Sequence, residues 1–212
     1  MDELLRWMDF LAIAVLAVSG ELVASRKQMD IVGFILIAAV TGFGGGTVRD
    51  LLLGRTPVFW LQSPAQIGLC AGLSVFVFFF AQRIESRFRS LLWADAIGLA
   101  LYAIVGTETA LSFGAGPAAA VLLGTVTATF GGILRDIICN EVPLILRKEI
   151  YATAAAAGAA LFVLLTESGL AREYAFLISA GFVFAIRAIA ILRGWSLPTY
   201  RRRTANAFSD DV

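Results

Sequence analysis

Histidine is absent from the 212-residue sequence, and cysteine occurs only twice. Both cysteines, Cys70 and Cys139, lie in apolar runs where a thiol behaves as a small hydrophobic group. The usual zinc sites and a disulfide scaffold are therefore disfavoured. An intramembrane enzyme is disfavoured as well, because the sequence contains neither a Gly-x-Ser-x-Gly motif nor a cysteine-based pair. We expect no enzymatic activity, no metal site and no bound cofactor.

Charged residues are also scarce, at 16% of the chain, whereas hydrophobic residues make up 59% and the mean hydropathy is +0.83. A soluble domain of this length is much less apolar, so the chain is predicted to lie in a lipid bilayer. The net charge of +1 is spread over short loops. It forms no basic patch for nucleic acid, and the sequence indicates no soluble partner.

Seven segments are long and apolar enough to cross a bilayer, which requires roughly 20 residues. Acidic residues outnumber Arg6 ahead of the first segment, which favours a retained helix over a cleaved signal peptide. The predicted spans are 9–24, 31–53, 64–82, 93–113, 117–138, 149–165 and 174–192.

The basic residues of the loops predict the orientation of these spans. Eleven Lys and Arg residues fall on one side of the predicted membrane, and three fall on the other. Because basic residues accumulate in cytoplasmic loops, the N-terminus is expected outside and the C-terminus in the cytoplasm.

An internal repeat relates two parts of the chain at an offset of 86 residues without a gap. The alignment superimposes polar and turn residues, which match by chance far less often than apolar ones. The aligned pairs are Asp9 with Asp95, Gly20 with Gly106, Thr41 with Thr127, Gly45-Gly46 with Gly131-Gly132, Arg49-Asp50 with Arg135-Asp136, and Pro57 with Pro143.

Each copy contains three helices, an odd number, so the second copy enters the membrane inverted. The predicted fold is therefore an all-α membrane protein with two inverted three-helix repeats and a seventh helix. The expected divisions are residues 1–86 for the first repeat, 87–168 for the second, 169–193 for the seventh helix and 194–212 for a cytoplasmic tail.

Glycines interrupt the second and fifth predicted helices past their midpoints, at Gly44, Gly45 and Gly46 and at Gly131 and Gly132. Adjacent glycines weaken a helix, so we expect the backbone to open there and to line a wet cavity. The alternative is that the glycines let two helices approach closely.

An Arg-Asp pair follows each glycine group, Arg49-Asp50 in the first copy and Arg135-Asp136 in the second. Neighbouring residues on a helix point about 100° apart, so we expect pairing between the copies. Arg49 would reach Asp136 or the opened backbone of the fifth helix, and Arg135 would reach Asp50 or the opened backbone of the second. A purely structural clasp between the repeats is the alternative. Further polar candidates near the predicted pathway are Thr127, Glu21 and Glu108.

Two functions fit inverted repeats with polar breaks near the membrane midplane. One is a channel in which exposed carbonyl and acidic groups coordinate a monovalent cation. The other is a carrier for a small zwitterion such as glycine, whose carboxylate would meet an arginine or a helix N-terminus. The pattern alone does not separate them.

The doubled motif, Gly-Gly-Gly-Thr-Val-Arg-Asp at 44–50 and Gly-Gly-Ile-Leu-Arg-Asp at 131–136, resembles the prokaryotic members of the trimeric intracellular cation (TRIC) channel family and the related UPF0126 proteins. The resemblance implies a homotrimer in a prokaryotic plasma membrane, with a potassium-permeable pore inside each protomer. It places the motif residues in that pore, between the first, second, fourth and fifth helices. Lipid is a further expected partner, but the lysine-containing motif of animal members is absent, so phosphoinositide dependence does not transfer.

Overall fold

The computed structural model describes residues 2–83, 87–147 and 149–198. Within these ranges the fold is all-α, as predicted, and three short 3-10 turns at Phe59–Gln62, Ala81–Arg83 and Leu144–Leu146 accompany the main helices. The α-helices are α1 (Asp2–Arg26), α2 (Ile31–Leu52), α3 (Pro64–Phe80), α4 (Arg87–Ser112), α5 (Pro117–Ile138), α6 (Ala152–Glu167) and α7 (Arg172–Arg193).

The helices differ in how well their length matches a bilayer. Five of those described, α1, α2, α4, α5 and α7, are long and apolar enough to cross a membrane. The other two, α3 and α6, are apolar but have only 17 and 16 residues. At 1.5 Å per residue they span about 25 Å, just short of a typical hydrocarbon core. These short helices occupy the same place in the two copies, third in each.

The packing order places four helices at the centre of the protein. α4 packs against α1 and α5, α1 packs against α2, and α2 packs against α5. α3 lies against α1 and α2, and α6 takes the corresponding place against α4 and α5. α7 is added on one side only, where it packs against α4 and α6. The centre of the fold is therefore built from α1, α2, α4 and α5.

Both motif helices end in the same way. A residue with positive φ follows each, Gly54 at 67° and Asn140 at 53°. The next backbone N–H then donates to the carbonyl of the motif aspartate, from Arg55 to Asp50 and from Glu141 to Asp136, at 2.8 Å in both copies. This left-handed ending satisfies carbonyls that the last helical turn leaves free.

The glycine groups do not open the helices. α2 is helical from Ile31 to Leu52, and α5 is helical from Pro117 to Ile138, without interruption at the glycines. The expectation of an opened backbone was wrong. A continuous helix satisfies its own N–H and carbonyl groups, which a bilayer cannot do for it.

Candidate functional site

The glycines form the crossing between α2 and α5. A Cβ atom added at Gly45 would collide with the carbonyl oxygen of Thr127, and one at Gly131 would collide with that of Thr41. Each glycine thus lies directly against the backbone of the other copy's helix. The 86-residue offset relates Gly45 to Gly131 and Thr41 to Thr127, so the two contacts are equivalent and the crossing has the symmetry of the repeat. Close packing, the alternative considered for these glycines, is what the structure contains.

The remaining glycines of the motif accommodate side chains. A Cβ at Gly44 would lie 3.1 Å from Leu134, whereas one at Gly46 would meet the ring of Phe59 at 2.5 Å. In the second copy, a Cβ at Gly132 would lie 3.2 Å from the hydroxyl of Tyr151. An aromatic side chain from the segment after each motif helix therefore covers the last glycine of both copies.

The first polar cluster, formed by Asp9, Arg49, Asp50, Arg55 and Gln66, lies on one side of this crossing. Arg49 donates from Nε to Oδ1 of Asp50 at 2.9 Å, and its Nη2 lies 2.7 Å from the same oxygen. The other oxygen, Oδ2, accepts the backbone N–H of Phe59 at 2.8 Å and lies 3.8 Å from Nε of Arg55. Asp50 thereby balances Arg49 and anchors the segment after α2.

A cavity of about 570 Å³ opens onto this first polar cluster. Asp9 is half-buried in its wall, and Gln66 donates to Oδ2 of Asp9 at 2.7 Å while the Gln66 carbonyl oxygen has no partner among the described atoms. Arg6, Arg49 and Arg55 also line it. The cavity is therefore polar and carries charges of both signs.

The second polar cluster, formed by Ser19, Asp95, Arg135, Asp136 and Tyr151, lies on the other side of the crossing. Arg135 donates from Nε to Asp136 at 2.8 Å, and from Nη1 to Asp95 at 2.9 Å and to Ser19 at 3.0 Å. All five side chains are buried. Burying a charge is costly unless it is paired and hydrogen-bonded, and here two carboxylates flank the guanidinium.

The predicted cross-pairing between the copies was wrong. Each motif arginine pairs with the aspartate that follows it, and Arg135 also reaches Asp95 of its own repeat. The 100° separation of neighbouring helical positions applies to the Cβ directions, whereas the long arginine side chain curls back far enough to reach the next residue. The clusters are consequently two separate sites, one on each side of the crossing.

The other predicted residues lie away from these clusters or play local roles. Thr127 donates to the carbonyl of Leu123 at 2.6 Å, the back-bonding common for threonine in membrane helices. Glu21 accepts the hydroxyl of Ser74 at 2.9 Å, beside α3. Glu108 pairs with Arg172 near the start of α7. Of the three, Thr127 alone belongs to the crossing, through its carbonyl.

Asp9 and Asp95 were not predicted as site residues, yet they complete the two clusters. Their signal was present in the repeat, which aligns them as an equivalent polar pair in α1 and α4. Among the described residues, no three His, Cys, Asp or Glu side chains are grouped as metal ligands. The chemistry available is therefore electrostatic, with one half-buried carboxylate, Asp9, on the cavity at the first cluster.

Comparison with known proteins assigns the family. A family model described as a glycine transporter matches twice, over residues 6–82 and 92–167. A UPF0126 membrane protein of Vibrio cholerae is 37% identical over 207 residues, covering 93% of this chain and 83% of the relative. The UPF0126 inner membrane protein YadS of Escherichia coli is 38% identical over 156 residues, 73% of this chain and 75% of its own.

Solved structures agree with this assignment. The TRIC channel orthologue of Rhodobacter sphaeroides matches with a TM-score of 0.89 and 53% identity, covering 91% of this chain and 99% of the other. Another prokaryotic TRIC channel matches with a TM-score of 0.87 and 30% identity, covering 93% and 100%. This chain belongs to the family formed by the UPF0126 membrane proteins and the prokaryotic TRIC channels, and it is an integral membrane protein.

Proposed function

We propose that the protein is a potassium-permeable cation channel with one pore in each protomer. The pore runs from the 570 Å³ cavity at the first polar cluster, past the α2 and α5 crossing, to the second polar cluster. Its walls are α1, α2, α4 and α5. The observation that carries the proposal is this cavity, because it opens onto a half-buried carboxylate, Asp9, on one of the four central helices.

Three arginines and one carboxylate, Asp9, line the cavity, but Asp50 balances part of the positive charge. Arg49 is neutralised by Asp50, which also lies near Arg55. Asp9 accepts a hydrogen bond from a neutral partner, Gln66, so its negative charge is not cancelled by that contact. Carboxylate and carbonyl oxygens are the groups that replace the hydration shell of an alkali cation. The cation would therefore pass by Asp9, with Arg49 and Arg55 both close to Asp50.

Likeness to solved proteins supports the same function. The Rhodobacter sphaeroides protein, 53% identical, is described as a trimeric intracellular cation channel. On this basis we propose a homotrimer with three separate pores. We also propose that the N-terminus lies outside and the C-terminus in the cytoplasm, because of the distribution of basic loop residues. Lipid remains a proposed partner for the exposed apolar faces.

A carrier for glycine or a similar solute is the second candidate. The description of the matching family model suggests it, and the structure offers one supporting observation. The first polar cluster faces a cavity, whereas the equivalent cluster of the inverted repeat is buried. Alternating-access carriers have this asymmetry, with one face open and the other closed.

Recording from purified protein in planar bilayers separates the two functions. A channel gives discrete current steps in potassium chloride, and a trimer with a pore in each protomer gives up to three equal levels. A carrier gives no such steps, but it exchanges labelled glycine across liposomes with saturable kinetics. Absence of current together with saturable exchange would overturn the channel proposal. Chemical crosslinking that stops at a dimer would overturn the trimer.

A further inference from the structure

Arg187 is a fully buried arginine on α7, the helix outside the repeat. We propose that Arg187 fastens α7 as a seal over the second polar cluster, and that its release opens a water path to this cluster. For permeation, the seal would be the closed gate of the pore, which rests on the proposed channel function. The seal itself, as a barrier to water, does not rest on it.

The contacts of Arg187 tie α7 to the segment before α6. Its Nη1 donates to the carbonyl of Ile150 at 2.8 Å, and its Nη2 donates to Glu149 at 3.1 Å. Its guanidinium lies 5.1 Å from the ring centre of Tyr151. Three consecutive residues are thus held by one side chain, through a carbonyl, a carboxylate and an aromatic face.

The residues after α7 strengthen the same attachment. Ser196 forms an antiparallel β-bridge with Glu149, so the chain beyond the helix pairs with the segment that Arg187 holds. α7 ends at Arg193, and Gly194 turns the chain with φ of 64°. α7 and the residues that follow it therefore contact residues 149–151 at two points, through the Arg187 side chain and through the β-bridge of Ser196.

Tyr151 contacts both Arg187 and the second polar cluster. A Cβ built at Gly132 would lie 3.2 Å from the Tyr151 hydroxyl, 3.5 Å from Arg135 and 3.6 Å from Asp95. All three side chains therefore converge on one glycine. Moving Tyr151 would uncover Arg135 and Asp95, and Arg187 holds Tyr151 from its other side.

A cavity lies on the outer side of Arg187 and marks the proposed limit of water access to the second polar cluster. It measures about 300 Å³ and is lined by Arg147, Glu149, Arg187, Trp195 and Ser196, among others. Arg187 and Glu149 therefore form the boundary between this cavity and the buried cluster. The Nε atom of Arg187 has no partner among the described atoms, so the side chain is not fully satisfied where it lies.

α7 packs over the second copy and not over the first polar cluster. α7 packs against α4 and α6, which belong to the second copy. Asp9, the counterpart of Asp95, is half-buried and lines the open cavity, whereas Asp95 is 0% exposed. The seventh helix thus packs against the copy whose aspartate, Asp95, is fully buried.

Cysteine labelling tests the seal without any need for current. Ser19 touches Arg135 within the cluster, so Ser19→Cys reports water access, in full-length protein carrying Cys70→Ala and Cys139→Ala. A charged, membrane-impermeant thiosulfonate is applied to protein in nanodiscs. Arg187→Met removes the attachment, and Arg193→Met makes the same change at an exposed position of the same helix. Ser63→Cys, on the open cavity, is the positive control for labelling.

The seal predicts that Arg187→Met accelerates labelling of the Ser19→Cys thiol by at least about tenfold, since hydrogen bonds from a charged donor are lost. Arg193→Met should leave the rate within about twofold, as expected for an exposed side chain. Unchanged labelling in Arg187→Met, or equal acceleration by both variants, would overturn the proposal. If Arg187→Met does not fold, Glu149→Gln serves instead; a smaller acceleration is expected, and none would refute the seal.

Bilayer recordings connect the seal to permeation. Arg187→Met should raise the fraction of time that the pore is open, whereas Arg193→Met should not. The two proposals fail differently. If no variant and no wild-type protein conducts while labelling behaves as expected, the channel proposal fails and the seal stands. If wild-type protein conducts and Arg187→Met changes neither labelling nor open time, the seal fails alone.

Discussion

The contact between Gly45 and the Thr127 carbonyl makes the crossing of α2 and α5 the position most sensitive to a single methyl group. In Gly45→Ala, the added Cβ would collide with a backbone oxygen, which cannot rotate away as a side chain does. The two helices must separate or bend. Overpacking of this kind costs typically 1–3 kcal/mol, and we expect a value of about 3 kcal/mol because both partners are backbone.

The gain in helix propensity reduces this cost. Alanine is favoured over glycine in a helix interior by about 1 kcal/mol, so the net destabilisation of Gly45→Ala is about 2 kcal/mol. Gly68→Ala, in α3, is the matched control, because a Cβ there meets nothing within 4 Å. Gly68→Ala should therefore gain only the helix propensity of alanine, about 1 kcal/mol. The two variants should therefore differ by about 3 kcal/mol in stability.

Thermal unfolding in detergent, followed by size-exclusion fluorescence, measures this difference. For a chain of this length, 1 kcal/mol corresponds to roughly 2–4 °C, so the apparent Tm of Gly45→Ala should lie roughly 6–12 °C below that of Gly68→Ala. Gly131→Ala, its counterpart against Thr41, should behave like Gly45→Ala. Equal Tm values for Gly45→Ala and Gly68→Ala would refute the close crossing.

Further predictions concern the charge pairs. Asp95→Asn removes one of the carboxylates that balance the buried Arg135 and should destabilise the protein by about 3–5 kcal/mol, whereas Asp9→Asn, at the open cavity, should cost about 1 kcal/mol or less. Similar losses of Tm in the two variants would contradict the difference in burial. Glu141→Gln weakens the contact with Arg26 and should lower stability by no more than about 1 kcal/mol, because the pair is partly exposed; a larger loss of Tm would contradict this.

The helical plan of the protein was predictable because it depends on composition and periodicity. The span predicted at 117–138 coincides with α5, and the one at 31–53 differs from α2 by one residue. The repeat was detectable because its polar residues keep one register, and it also brought Asp9 and Asp95 into alignment. The domain boundaries and the membrane orientation stay predictions.

The pairing of charges was less predictable from the sequence. Backbone direction alone argued against a bond between Arg49 and Asp50, but the flexible arginine side chain and the returning Phe59 amide decide the contact. The glycines had two interpretations, and the bilayer favours the continuous helix. Arg187 is buried and paired with Glu149, a loop residue that no periodic pattern marks.

In the proposed function, a cation crosses each protomer beside the first polar cluster. The decisive experiment records current through purified protein in a planar bilayer under a tenfold gradient of potassium chloride. We expect discrete steps that reverse close to the potassium equilibrium potential, with weaker cation preference in Asp9→Asn. Reversal at the chloride potential, or no current from protein that exchanges glycine in liposomes, would contradict it.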